Sequence, residues 1–195
     1  MRGLEQIPWI YDAMCAISEA TGLGRWREWL ARGARGLTLD VGCGTGRNLP
    51  LFSAQARIVG VDFTLDSLLR ARRREPRARL VLGSAEALPF RDGTFDTVVV
   101  GLVLCSVGRP DIAVREIRRV LRDGGELRLL EHVRSTRPWK ARLQDFLQPA
   151  WTAISGGCHP NRDTEATVLG AGFAVSERRA RNDMRRMALR KSGSS

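Results

Sequence analysis

The segment Thr38-Leu39-Asp40-Val41-Gly42-Cys43-Gly44-Thr45-Gly46-Arg47-Asn48 constrains this 195-residue chain more than any other stretch. Short apolar residues lead into an acid, glycines follow at three alternate positions, and a helix can begin after them. The pattern reads as a strand that enters a tight turn and leaves as a helix. Glycine admits positive φ there and puts no side chain between the backbone and a ligand. Amides at the start of the following helix then face whatever binds. The G-x-G-x-G spacing differs from the G-x-G-x-x-G of dinucleotide sites, which hold a pyrophosphate at the helix N-terminus and place their acid later, on a ribose. Asp40, two residues ahead of Gly42, would repel a pyrophosphate and suits a cation. The competing interpretation is a corner whose glycines serve packing alone.

A second element supports the ligand interpretation. Arg57-Ile58-Val59-Gly60-Val61-Asp62 is a strand that ends in an acid. Asp62 follows the first glycine by about 20 residues, the interval at which an acid meets ribose hydroxyls in nucleotide-binding sheets. A carboxylate accepts from both hydroxyls at once. On these residues the chain resembles the class I S-adenosylmethionine (SAM)-dependent methyltransferases, whose first motif is D-x-G-x-G-x-G, and whose cofactor carries an ammonium and a sulfonium. The resemblance implies a cofactor site built from Asp40, Gly42, Cys43, Gly44, Gly46 and Asn48. It also implies that Asp62 holds the ribose and Phe63 flanks the adenine. Many members follow the third strand with G-D-A; here Ser84 stands in the acid's place, so adenine recognition falls to the Ala85 backbone and Glu86. Residues at the end of the fourth strand, Leu102 among them, would contact the methionine part.

The remaining chain alternates strands and helices, the pattern of a doubly wound sheet. Leu65 to Arg74 is a basic amphipathic helix with a solvated arginine face. Phe95 to Leu104 is a continuous apolar strand suited to a sheet covered on both faces, and Cys105-Ser106-Val107 ends it. Cys105 is either a nucleophile or a buried inert thiol. Asp111 can cap a helix over Ile112 to Arg122. Glu126 to Glu131 is a fifth strand, followed by His132. Ligands in such sheets bind at the carboxyl ends of strands, so His132, with Glu131 beside it, can serve as acid or base or can bond a loop carbonyl. Trp139 to Ile154 is an amphipathic helix interrupted at Pro149, Thr164 to Leu169 is a further helix, and two short strands, about Ala174–Arg179 and Met184–Leu189, close the chain before a disordered tail.

The expected architecture is α/β: a Rossmann-like, seven-stranded class I methyltransferase sheet with helices on both faces and an N-terminal helical lid. One domain covers residues 1–195, with a lid over 1–34, a SAM-binding core over 37–133, a substrate-covering insertion over 135–160, and a C-terminal helix and strand pair over 161–190. Tyr11, the only tyrosine, can reach the site from the lid. The combination LVLCSV, LLEHV, LQPAW, GGC and AGF resembles a narrower group within the ubiquinone- and menaquinone-biosynthesis-type domains, the alkyl-thiol S-methyltransferases. Bacterial phospholipid N-methyltransferases look similar through the first half.

The resemblance implies methyl transfer from SAM, with S-adenosylhomocysteine as product, to a small or lipophilic acceptor such as a thiol. Alternatives are a phosphatidylethanolamine-type amine at a membrane surface, and a protein that binds SAM or RNA without turnover. The acceptor pocket is expected between Tyr11, Cys105, His132, Trp139 and His159. The four cysteines form no C-x-x-C pair, so neither zinc nor a disulfide framework is indicated and a reduced, cytoplasmic protein is expected. The longest apolar run is too short to span a bilayer, and the N-terminus does not read as a secretory signal. The net charge of +11 invites a polyanion or peripheral contact with an anionic membrane. All basic residues except Lys140 and Lys191 are arginine, a bias that fits coding preference. With aromatics at 6%, few rings are available to stack on bases, which argues against nucleic acid.

Overall fold

The computed structural model describes residues 22–154 and 157–192. Tyr11 and most of the segment expected as a lid, residues 1–21, lie outside the described residues, as does the end of the tail.

Seven strands form one sheet: β1 (Gly36–Val41), β2 (Ala56–Asp62), β3 (Arg79–Leu82), β4 (Phe95–Gly101), β5 (Leu121–His132), β6 (Phe173–Arg181) and β7 (Met184–Lys191). Their order is β3-β2-β1-β4-β5-β7-β6. The first five are mutually parallel, and β7 lies antiparallel between β5 and β6. The order reverses beside β1, so the chain leaves the carboxyl ends of β1 and β4 in opposite directions and opens a crevice between them.

Helices cover both faces. They are α1 (Gly24–Arg32), α2 (Leu65–Arg74), α3 (Pro110–Val120), α4 (Pro138–Ile154) and α5 (Thr164–Gly170). Alternation along β4 decides what each face receives. Val98 and Val100 join Ala113, Val114, Ile117 and Val168 on one side, while Val99 joins Leu30, Ala31, Leu68 and Ala71 on the other. A strand buried on both faces reads as the unbroken apolar run seen in the sequence. Helix α1 therefore forms a layer of the core, with Leu30 and Ala31 fully buried.

Three local expectations are corrected. No α-helix follows the glycine turn; the chain makes one 3-10 turn, Leu49–Leu51, with Pro50 inside it. Its few amides offer a ligand less than a full helix N-terminus would. Helix α4 runs continuously through Pro149, giving up one ladder hydrogen bond to the missing N–H. Asp111 does not cap α3, whose N-cap is Arg109. It sits in the first turn and pairs with Arg109 and Arg115, where its charge complements the helix dipole.

Candidate active site

The glycine turn adopts the conformation its sequence requires. Gly42, Gly44 and Gly46 have φ of 62°, 53° and 80°, values that L side chains rarely hold. They differ in what surrounds them. A Cβ on Gly46 would stand 2.9 Å from Cα and Cβ of Ala71, so this glycine lets α2 approach. A Cβ on Gly44 would meet only the Gly42 carbonyl oxygen, at 4.0 Å, so the turn shows open backbone there. The Cys43 amide donates to the Val61 carbonyl (3.0 Å), fixing the turn to β2. Cys43 itself is buried, and burial followed by the Asp40 charge pushes its thiol far above the ordinary range. It has no reactive thiolate.

Asp62 closes the cradle. Its Oδ2 accepts the Gly44 amide and its Oδ1 the Thr64 amide, each at 2.9 Å. Burial raises its pKa and these amides oppose the rise. Phe63, next along the chain, is 71% exposed beside the cradle. Arg74, expected on a solvated face, instead reaches back: its Nη1 donates to the carbonyl and Oγ1 of Thr45 (3.0 and 3.2 Å).

Asp40 is fully buried beneath the turn. Desolvation raises its pKa to about 7 against the opposing effects of Asn48 and Arg27. Asn48 Nδ2 donates to Asp40 Oδ1 (3.3 Å), and Arg27 Nη1, from α1, donates to Asn48 Oδ1 (2.9 Å). The acid is thus joined through one amide to a buried arginine. Arg27 is not legible from sequence, because nothing in local spacing tells a basic residue that turns inward from one that faces water.

The turn after β3 is self-contained. Ser84 Oγ accepts the Glu86 amide (3.1 Å) and Glu86 Oε1 accepts the Arg109 amide (3.0 Å). Glu86 therefore bonds the entrance of α3. After β4, Leu102 has φ of 62° while its amide donates to the Leu130 carbonyl (2.8 Å). A bulky residue in this region is strained, and such strain persists where surrounding bonds over-determine it.

Those bonds come largely from Glu131. Its carboxylate is fully buried, and Oε1 accepts the amides of Val103 (2.6 Å) and Leu104 (2.8 Å). No hydrogen-bond partner reaches Oε2. Desolvation raises its pKa to about 7, although the two amides pull it down. Neighbours on a strand face opposite sides, so Glu131 and His132 do not form a shared acid–base pair. Arg162 completes the clamp, donating from Nη1 to the carbonyls of Leu104 (2.8 Å) and Val107 (2.6 Å).

At the ends of β4 and β5 the fold gathers residues far apart in sequence. The His159 amide donates to the Cys105 carbonyl (2.8 Å), laying the segment after α4 along the turn after β4. Cys158 is thereby brought to Cys105, to the half-buried His132 and to Trp151. Cys105 is buried and stands between Glu131 and Cys158. His159 Nδ1 donates to the Gly157 carbonyl (2.7 Å), which commits that nitrogen to loop structure. Of the expected pocket residues, the structure joins Cys105, His132 and the backbone of His159. Trp139 instead lies 63% exposed on α4, along a stripe with Leu143, Phe146, Leu147 and Trp151. Trp151 lies in the segment from Trp139 to His159 expected to wall the pocket; Cys158 and Arg162 were not singled out, and the sole hint of Cys158 was its place inside the GGC motif. Among the described residues, no three His, Cys, Asp or Glu side chains gather as metal ligands.

The strand order, the glycine cradle at the switch point and the acid closing β2 define a Rossmann-like class I methyltransferase fold. Bare backbone at Gly44 and buried acids at 40 and 62 fit a nucleoside that carries positive charge. Comparison with known proteins agrees. Residues 39–129 match the family described as "Methyltransferase domain". The human thiol S-methyltransferase TMT1A is 30% identical over 85% of this chain and 71% of its own length. The phosphatidylethanolamine N-methyltransferase of Cereibacter sphaeroides is 42% identical over 52% of each chain. A solved SAM-dependent methyltransferase from Methanosarcina mazei superposes with a TM-score of 0.66 at 20% identity, covering 83% of this chain and 94% of the other. That likeness shows the fold; the family rests on the sequence relatives. The chain belongs to the SAM-dependent methyltransferases, with SAM as cofactor. It spans only about half to two-thirds of the length of several of its curated relatives.

Proposed function

We propose that this protein transfers the methyl group of SAM to the thiol of a small, apolar acceptor, with His132 taking the acceptor's proton. The observation that carries the reading is the meeting of the turn after β4, the end of β5 and the segment after α4 at the mouth of the cofactor crevice, with half-buried His132 among them. The similarity to enzymes named thiol S-methyltransferases supports it.

In this reading the core over 37–133 binds SAM, and the insertion over 135–160 covers the acceptor. Asp40, buried beneath the turn, acts on the cofactor's positive charge from below through the turn, Asp62 accepts from the ribose hydroxyls, and Phe63 lies along the adenine. Bound SAM supplies a methyl group already activated by the sulfonium. The chain's own residues then hold the acceptor in line, exclude water and remove a proton. Glu131 acts through the backbone: by holding Val103 and Leu104 it shapes the turn on which the acceptor rests. The apolar Trp151 suits a lipophilic acceptor.

The test is release of S-adenosylhomocysteine over a panel of alkyl and aryl thiols, phospholipids and quinol precursors. Thiols should be turned over, and His132→Ala should lower kcat by roughly 100-fold or more while SAM affinity stays unchanged. Turnover of amines alone would overturn the acceptor assignment, and normal kcat across the pH range would remove His132 from the chemistry.

A second reading concerns location. The exposed stripe Trp139, Leu143, Phe146, Leu147 and Trp151 presents two indoles and three aliphatic or aromatic side chains on a protein of net charge +11. Such a face suits peripheral docking on an anionic bilayer, with rings at the headgroup level and arginines toward the lipid charge. No described helix is long and apolar enough to cross a membrane.

A further inference from the structure

The proposed chemistry makes no use of a pair of thiols at the same site. Cys105 and Cys158 are both free and both buried. They lie 53 residues apart in sequence, and the fold brings them side by side. Their backbones are laced together by the bond from the His159 amide to the Cys105 carbonyl (2.8 Å), while Thr152 Oγ1 donates to the Cys158 carbonyl (3.0 Å) and ties that residue to α4. We propose that Cys105 and Cys158 are a redox-active dithiol that reduces a hydroperoxide, closes to a disulfide and thereby blocks the acceptor side of the enzyme.

Geometry provides the first support. A disulfide needs Cα atoms no more than about 7 Å apart with Cβ atoms turned toward each other. The His159 amide-to-Cys105 carbonyl bond lays the backbone next to Cys158 against Cys105, the kind of approach such a linkage requires. The second support is an asymmetry between the thiols. Cys105 has Glu131 at its back, and its proton is held by Cys158 and by burial, so its pKa lies well above the ordinary value. Cys158 receives the Cys105 hydrogen bond and contacts His132 and Trp151, which hold its pKa below the ordinary value. Cys158, which contacts the His132 imidazole, is then the attacking member and Cys105 the resolving one, the division of labour that disulfide chemistry uses. Cys43 provides an internal contrast, since it is buried without such a neighbour and its thiol stays protonated.

The chemistry balances with a hydroperoxide as oxidant. The Cys158 thiolate attacks the distal peroxide oxygen, the O–O bond breaks, and the leaving alkoxide takes a proton to become an alcohol. Cys158 is then a sulfenic acid. The Cys105 sulfur attacks the Cys158 sulfur, the S–O bond breaks, and water leaves with the Cys105 proton. Two thiols and one hydroperoxide become one disulfide, one alcohol and one water, a two-electron exchange. The disulfide removes the Cys158 contact from His132 and stiffens the junction between the turn after β4 and the segment after α4. The block on turnover rests on the acceptor reading above; the disulfide itself does not.

The test uses the full chain, reduced and free of added acceptor, treated with tert-butyl hydroperoxide and then with N-ethylmaleimide. Intact mass and non-reduced peptide mapping should show loss of two hydrogens, a Cys105–Cys158 linkage, unmodified Cys43, and full reversal by dithiothreitol. Cys105→Ser should stop at a Cys158 sulfenic acid trapped by dimedone. Oxidised protein should lose at least roughly tenfold in turnover while binding SAM with unchanged affinity. Over-oxidation of Cys158 with no linkage, a disulfide elsewhere, or no loss of thiols would overturn the dithiol. A linked protein with full turnover would overturn the switch and leave the methyltransferase reading standing. The wild-type map decides the linkage even if the serine variant does not fold.

Discussion

Replacing Glu131 by Gln isolates what this buried carboxylate costs the fold. Oε1 holds two amides and Oε2 holds none. Glutamine keeps an oxygen for Val103 and Leu104 and removes the charge. Burial lifts the Glu131 pKa from 4.5 to about 7. A carboxylate whose folded pKa lies above its unfolded one binds more protons when folded, so stability falls as pH rises between the two values. Its contribution is greatest below pH 4.5, declines through the interval and is constant above about 7. At about 1.4 kcal/mol per pKa unit, the decline is about 3 kcal/mol. Urea unfolding of wild type and Glu131→Gln at pH 5 and pH 8.5 measures it. The wild type should lose about 3 kcal/mol more than the variant across this range, because Asp40, raised in the same way, contributes equally to both. Equal losses in the two proteins would refute the argument and show that Glu131 ionises without penalty.

Two further outcomes follow from the same geometry. Asp62→Asn should weaken SAM binding by roughly 1–3 kcal/mol in calorimetry, the range for a lost hydrogen bond to a charged group; unchanged affinity in a folded variant would place the ribose elsewhere. The docking stripe predicts co-sedimentation with anionic vesicles that falls steeply with added salt. Phe146→Ser with Trp139→Ser should abolish it, and equal pelleting with neutral vesicles would reject the docking reading.

The sequence by itself determined the cofactor half of this protein. Glycines at 42, 44 and 46 declare a backbone that must take positive φ, a local requirement that needs no tertiary partner to be read. Helix α2 begins and ends where its pattern does, at Leu65 and Arg74. An unbroken apolar run marked β4 as a strand buried on both faces. Tertiary structure alone decided the rest, because those features are contacts across long separations that leave no periodic trace. Arg27 reaches Asn48 across 21 residues and Arg162 reaches Leu104 across 58. Arginines that the sequence offers as a charged surface serve in part as latches on backbone carbonyls: Arg119 holds Leu88 and Phe90, and Arg128 holds Trp29 and Leu30. A planar fork of donors can satisfy several carbonyls that no strand or helix would pair. Cys158 shows the same limit. Its neighbours in sequence are glycine, histidine and proline, and only the fold supplies the second thiol and the imidazole that give it chemistry.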